Sequence, residues 1–423
     1  MRFEGLSGMV LAAALLIGSI CVSGGDVAAS AAGAKVSPSY ELIPLDRGTW
    51  PAGDLVISRH GRFVAMTLVS AARHTHKQVV VWDQRNRSLV LVSEAMGGGP
   101  GDGRSVVCDI SQNGRFVLFN SKATNLVAQD TNSAPDTFVR DLRTGTTQRV
   151  SLSSHGEQLT GPSHGGSLTA DGGIAFFSTT SRAVLEDHNA HRDVYARDLL
   201  TGRVSLVSRN SHGRAANAAS SSPFTSDNGR WVAFRSYATN LARADRDDDL
   251  DVYLRDRKTG QTRLVSKTSV GAPIGRVGGV GGISGDGQVV AFNAFTRTAG
   301  GKVFHPWLYR YGSGHRQDLM ARYPEADGYG SLNSQHGNLL TIATNASLTH
   351  RDNTTRHEDV YAMQVLTGDL TLLTRHDPPI GHPLGSGRLS RDGRLLAFVA
   401  GGHYSSADTD RRFDAYLRDV PNL

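Results

Sequence analysis

A four-residue pattern, Ser or Thr, any residue, then Asp, Asn or His, then Gly, recurs seven times along the chain. It ends at Gly61, Gly114, Gly172, Gly229, Gly287, Gly337 and Gly393. The intervals of 53, 58, 57, 58, 50 and 56 residues are those of a repeated supersecondary unit. Before each glycine stands His60, Asn113, Asp171, Asn228, Asp286, His336 or Asp392. These are the non-glycine types that best tolerate positive φ, so each dipeptide predicts a tight primed hairpin turn. An apolar run follows every turn, such as FVLF from Phe116 or WVAF from Trp231, and predicts an interior strand covered on both faces. A β-branched and aromatic segment comes next, DTFVRDL from Asp136 or DVYLRDR from Asp251, then a Thr-Gly turn and a fourth strand. Four strands per unit describe a blade. The expected fold is therefore all-β, a seven-bladed β-propeller of four-stranded antiparallel blades.

The ends fit this count. The seventh unit stops at Leu423 just after its third strand, whereas Tyr40 to Leu45 resemble a strand without a blade. This N-terminal strand is expected to close the ring as the outer strand of blade seven, which also covers an exposed edge. Upstream, Met9 to Val22 form a 14-residue apolar and small run, shorter than the about 20 residues of a membrane span. With Arg2 ahead and small-residue sites at Ala29 to Ala31 and Ala32 to Ala34, it predicts a signal peptide. The expected organisation is a signal peptide over 1–31, a linker over 32–39 and one propeller domain over 40–423. The protein would be secreted, extracellular or periplasmic, with no stable membrane insertion after cleavage. Ile20 ahead of Cys21 is too bulky for lipid attachment. Cys21 and Cys108 offer no disulfide framework once the signal is removed. Lys and Arg number 45 against 39 Asp and Glu, an excess spread along the chain, so no nucleic-acid partner is expected.

The repeats resemble the WD40-like repeats of TolB-type propellers, the PD40 group, in their exported bacterial form. The match is carried by SQNGRFVLFNSKATNLVAQDTNSAPDTFVRDLRTGTTQRVS from Ser111 and SDNGRWVAFRSYATNLARADRDDDLDVYLRDRKTGQTRLVS from Ser226. It covers nearly all of the expected propeller. The resemblance implies the fold and does not carry a partner.

The short turns lie on one face and the long loops on the other, where function tends to sit. The loops from second to third strand carry Asp-x-Asn/Asp-x-x-x-Asp: Asp130, Asn132, Asp136; Asp187, Asn189, Asp193; Asp245, Asp247, Asp251; and Asp408, Asp410, Asp414. Blade six has a looser set, Asp352, Asn353, Glu358 and Asp359. Oxygen ligands at this spacing suit Ca2+. Loop closure, with each Asp accepting its own loop's amides, is the structural alternative and is favoured. Asn125-Leu126, Asn240-Leu241 and Val184-Leu185 are expected to pin the loops by burying a leucine. Arg140, Arg197, Arg255 and Arg418 recur with Asp141, Asp198, Asp256 and Asp419, as contacts between neighbouring blades would.

Blades one and five lack the acidic motif and carry His74, His76 and Lys77, and His305, Trp307, Tyr309 and Arg310, instead. Of these, His74, His76, His305, Trp307 and Tyr309 are the candidate ligand-binding residues, since aromatics beside basic groups can stack on a sugar or hold a peptide. Packing of Trp307 between blades is the competing expectation. There is no GxSxG, HExxH or phosphate-loop motif and no sialidase-type Asp box. The chain therefore reads as a monomeric, non-catalytic binding or protein-interaction module for an envelope glycan or a protein. The alternative is a propeller-fold carbohydrate-active enzyme such as a polysaccharide lyase.

Overall fold

The hydroxyl that opens the short turn works twice in blades two, three, four, five and seven. Ser111 Oγ donates to Asn113 Oδ1 at 2.7 Å and accepts the Phe116 N–H at 2.9 Å, and Thr169 repeats both bonds with Asp171 and Ile174. The turn is closed by Gly114 N–H to Ser111 O at 2.8 Å. Only the glycine is left-handed, at φ +73° for Gly114, and no described Asp, Asn or His preceding a turn glycine has positive φ. The expected primed turn is thus replaced by a turn with a single left-handed residue. Asp or Asn is selected there by the hydroxyl it accepts from, not by its tolerance of positive φ.

The same glycine is the seat of the neighbouring blade. A Cβ at Gly114 would lie 2.0 Å from Cδ2 of Phe63, which opens the second strand of the previous blade. Gly172 meets Phe116, Gly287 meets Trp231, and Gly61 meets Leu395, which carries the contact from blade seven back to blade one.

The computed structural model describes residues 40–420 apart from 47, 71–76, 246, 268–273, 275, 276, 299, 300, 325, 333–336, 345, 350–358, 375–386 and 402–412. Strand β1 is Tyr40–Leu42. Blade one follows as β2 to β5 (Thr49–Ile57, Phe63–Ser70, Gln78–Asp83, Ser88–Leu91), and blade two as β6 to β9 (Ser105–Ile110, Phe116–Ser121, Asp136–Asp141, Thr146–Arg149). Blade three is β10 to β13 (Ser163–Leu168, Ile174–Thr179, Asp193–Asp198, Val204–Leu206), and blade four β14 to β17 (Ser220–Thr225, Trp231–Ser236, Asp251–Asp256, Gln261–Leu264). Blade five is β18 to β21 (Val277–Ile283, Val289–Thr298, Gly301–Arg310, Arg316–Asp318), and blade six β22 to β25 (Gly328–Leu332, Leu339–Thr344, Asp359–Gln364, Leu370–Leu372). Blade seven has β26 to β28 (Arg388–Leu389, Leu395–Gly401, Phe413–Asp419) and takes β1 as its fourth strand. The antiparallel pairing of Tyr40 with Arg418 and Leu42 with Tyr416 closes the ring as expected. The protein is an all-β, seven-bladed propeller, with no helix among the described residues.

The core lies between blades. Leu55, Val64 and Trp82 of blade one pack with Leu395, Ala397 and Leu417 of blade seven in a single cluster. Within blades, the second and third strands stack aromatics: Phe119 on Phe138, Phe177 on Tyr195, Phe234 on Tyr253 and Phe398 on Tyr416, at 5.5–5.8 Å. Leu126 and Leu241 are buried beneath their loops as expected, but in blade three Val184 takes that place and Leu185 is 70% exposed. The 1–31 and 32–39 assignments fall outside the described residues.

Gly98 is also left-handed, at φ +84°, but nothing lies within 4 Å of an added Cβ there. Gly98→Ala should therefore cost only the left-handed penalty of about 1–2 kcal/mol. Gly114→Ala adds overpacking against Phe63 and should cost about 2–5 kcal/mol. Equal urea midpoints for the two variants would refute the seat.

Candidate functional site

In blades two, three and four the acidic loop ends on an Asp that opens the third strand, and one oxygen of that Asp is committed. Ser151, Ser208 and Ser266 donate their hydroxyls to Oδ1 of Asp136, Asp193 and Asp251, and accept the N–H of Thr137, Val194 and Val252. The loops differ in what meets the other oxygen. In blade three Asn189 Nδ2 donates to Asp193 Oδ2 at 2.7 Å and to Ala216 O at 2.9 Å, while the Tyr195 hydroxyl donates to Asp187. In blade two Asn132 makes the equivalent bonds to Asp136 Oδ2 and Leu159 O.

Blade two has Phe138 where blade three has Tyr195, and so lacks the hydroxyl for Asp130. Arg149 stands where blade three has Leu206, with its guanidinium 3.2 Å from Asp130 Oδ2 and 3.3 Å from Asp136 Oδ2. These are ion-pair contacts without hydrogen-bond alignment. Gln158 Nε2 adds hydrogen bonds to Asp130 at 2.9 Å and Asp136 at 2.8 Å. A guanidinium and an amide thus hold the two carboxylates of blade two, and the middle Asn completes the set. Arg149 and Gln158 were not among the residues picked out by the motif. Comparison of the Phe138 and Leu206 positions between repeats is the signal that finds them.

Blade four keeps the tyrosine, whose hydroxyl donates to Asp245 Oδ2, but has Asp247 in place of the asparagine. A carboxylate has no proton to give, and Asp251 Oδ2 is buried without a hydrogen-bond partner. Asp245, Asp247 and Asp251 bring ligand oxygens within 4.8 Å of one another. Burial, reinforced by these neighbouring carboxylates, pushes Asp251 up to about 7. Asp408, Asp410, His74 and His76 lie outside the described residues. Asp414 is half-buried in β28 and pairs with Ala400.

In blade five the acidic loop is replaced by continuation of β19 and β20 into a long hairpin of ten residue pairs, from Val289 with Arg310 to Thr298 with Gly301. His305 is 1% exposed, with Nδ1 2.9 Å from Asp318 Oδ2, and Tyr309 is 3% exposed. Trp307 is half-buried and stacks on Phe292 at 6.3 Å. The three are alternate positions of one strand and share a single face, which is packed against blade four: Tyr309 and Trp307 lie in one cluster with Trp231 and Leu254. Beside this hairpin, Phe295, 38% exposed, and Tyr329, 49% exposed, reach the surface on either side of the buried Phe304 at 4.4 and 4.9 Å.

The first strands line the central channel. At its short-turn end the second turn residues form a belt: Arg59 N–H donates to Gln112 O, Gln112 to Ala170, Ala170 to Asp227 and Asp227 to Gly285, at 2.8–3.0 Å. Asp227 also accepts from Gln112 Nε2 at 2.7 Å and pairs with Arg391, tying blades two, four and seven together across the ring. The pocket within has about 110 Å3, well below the about 300–1,000 Å3 of small-molecule sites. Cys108 lines it, and burial pushes that thiol up to about 12, which removes the thiolate a nucleophile needs. Asp109, raised to about 6 by burial, is held by the N–H groups of Ile110 and Leu168.

The recurrent arginines stitch blades. Arg140 pairs with Glu94 of blade one, and Arg255 Nη1 donates to the Arg209 and Asn210 carbonyls of the preceding inter-blade segment.

The fold is shared with solved propellers. Similar structures include the β-propeller domain of the Trilobed protease from Pyrococcus furiosus, with TM-score 0.55, 8% identity and coverage of 88% of this chain and 96% of that one. An oligogalacturonate lyase from Vibrio parahaemolyticus gives TM-score 0.56 and 11% identity over 91% and 98% of the two chains. An oligogalacturonate lyase in complex with manganese gives 0.55 and 14% over 92% and 94%. No family model and no curated protein matches the chain. At these identities the likeness is one of fold alone. The Pyrococcus furiosus domain is described as having an open velcro topology, whereas β1 and β28 pair here.

Arg149→Leu would leave Asp130 and Asp136 buried together without their cation and should destabilise by about 3–5 kcal/mol. Adding Phe138→Tyr supplies the hydroxyl used in blade three and should recover part of that loss. A double-mutant cycle in urea checks this, and zero coupling would refute the compensation.

Proposed function

We propose that the chain is an exported, non-catalytic binding module that recognises an envelope glycan or a protein through its long-loop face. The carrying observation is the aromatic cluster of Phe295, Phe304 and Tyr329 beside the blade-five hairpin. Exposed rings of this kind stack on sugar faces or grip apolar side chains. Arg235 donates to Gly278 O at 3.3 Å, and a Cβ at Gly278 would strike Phe304, so a guanidinium borders the cluster. The core positions of His305 and Tyr309 and the raised Cys108 thiol support binding over chemistry. The alternative of a polysaccharide lyase draws on the fold shared with the oligogalacturonate lyases. Among the described residues, no helix is long and apolar enough to cross a membrane.

The blade-four loop is proposed to hold Ca2+. Asp245, Asp247 and Asp251 would supply carboxylate oxygens, and the partnerless Asp251 Oδ2 is the atom a hard cation would satisfy. The corresponding loops of blades two and three are filled by asparagine amides, so among the described loops the site falls to blade four.

Tyr329→Ala should weaken glycan or peptide binding about tenfold, the loss of about 1.4 kcal/mol, with an unchanged melting temperature. Release of unsaturated products from polygalacturonate would instead establish the lyase. Ca2+ should raise the melting temperature saturably. Asp247→Asn gives blade four the amide used in blades two and three, so it should stabilise the metal-free protein by about 1–3 kcal/mol and abolish the Ca2+ response. A Ca2+ response that survives this change would place the cation elsewhere.

A further inference from the structure

The junctions between blades contain one position at which charge is reversed. Isolated antiparallel bridges join Glu94 to Pro100, Leu152 to Gln158 and Arg209 to Ala215. Glu94, Leu152 and Arg209 are therefore the same place in three successive blades, facing Arg140, Arg197 and Arg255 of the next blade. At the first junction Glu94 neutralises Arg140. At the third, arginine faces arginine.

The cleft at that third junction has about 600 Å3 and is lined by Arg203, Arg209, Arg255, Arg257 and Lys258, with Asp198 as the lone carboxylate of its wall. Arg230 also borders it, but Asp256 holds that guanidinium through two bonds of 2.9 and 2.7 Å. Arg255 and Arg257 meet neutral acceptors. Arg255, 2% exposed, gives Nη1 to the carbonyls of Arg209, Asn210 and Gly260 and to Thr262 Oγ1. Arg257 Nη1 donates to Gly229 O at 2.7 Å. Arg209 Nε is buried and has no hydrogen-bond partner. Asp198 is turned to its own turn, accepting from Leu200 and Thr201 N–H. The arginine that grips the equivalent Asp83, Asp141 and Asp256 in blades one, two and four is Gly173 in blade three. Burial, then the charges of Arg203 and Arg209, hold Arg257 below the usual guanidinium range, and burial with Arg209 and Arg257 takes Arg255 down to about 10.

We propose that this cleft is an oxyanion site that takes phosphate or sulfate groups carried on an extended ligand. Guanidinium forks match such oxygens in pairs. The sister cleft between blades one and two, about 420 Å3, contains its own carboxylate in Glu94. The blade-three cleft has arginine at that position and only Asp198, turned to its own turn, in its wall, and its volume falls in the about 300–1,000 Å3 range of ligand sites. The site is on a different part of the ring from the aromatic cluster, so it stands or falls independently of the long-loop reading.

Titration calorimetry of the full chain at low salt with tripolyphosphate and, separately, a sulfated polysaccharide tests this and distinguishes the two sources. Saturable binding to one of them, weakening as salt is raised, is expected. Arg209→Glu installs the pairing already present between Glu94 and Arg140, so the fold should hold, as its urea midpoint will report, while affinity falls about tenfold or more. Arg203→Ala, on an exposed side chain, should weaken binding severalfold without touching stability. No saturable binding of either probe, or affinity unchanged in Arg209→Glu, would overturn the assignment.

Discussion

Every blade meets its neighbour through a glycine, and the ring depends on that contact. The backbone at Gly114 must be left-handed to return the chain into the second strand, and the same missing side chain makes room for Phe63 of the previous blade. A local turn requirement and a long-range packing requirement thus fall on one atom that is absent. Because the contact recurs from Gly172 on Phe116 to Gly61 on Leu395, the blades can only be arranged in a closed cycle. The pairing of β1 with β28 then joins the two ends of the chain by backbone hydrogen bonds and removes the last open edge of blade seven.

Within that frame the repeats act as one another's controls. The same backbone position holds different side chains in different blades, and each change is answered by its surroundings or left unanswered. Loss of the tyrosine hydroxyl at Phe138 is answered by Arg149. The change from asparagine to Asp247 leaves Asp251 Oδ2 without a donor, and the change from Glu94 to Arg209 leaves Arg209 Nε without an acceptor. Buried polar atoms are rarely left unmatched in a scaffold whose other copies show how to match them. These two places have opposite charge, and they are where a cation and an anion are assigned.

The architecture was legible from turn spacing alone, including the closing strand, because a turn signature that recurs seven times reports topology directly. Turn chemistry was legible only in part. Asp and Asn before glycine suggested positive φ, whereas their role is to receive the Ser or Thr hydroxyl, a bond visible only when the side chains are placed. The departure of blade five from the acidic pattern was visible too, but its consequence was not. His305, Trp307 and Tyr309 share one face of β20, and its packing against blade four puts His305 and Tyr309 in the core, whereas the exposed rings come from Phe295 on β19 and Tyr329 on β22, separated in the chain and joined through Phe304.

Sequence by itself determined the number of blades, their strands and how the ring closes, since these follow from local periods and from which segments need a partner strand. It also determined that the acidic motif belongs to one loop position in successive blades. Tertiary structure alone decided which of those loops is satisfied, because the partners of Asp136 and Asp251 come from the fourth strand and the next blade. It likewise decided that Arg209 confronts Arg255, a contact between residues 46 positions apart in sequence. Local pattern sets the backbone, but the electrostatic balance of a buried group depends on every element packed around it, and that sum is taken only in the folded ring.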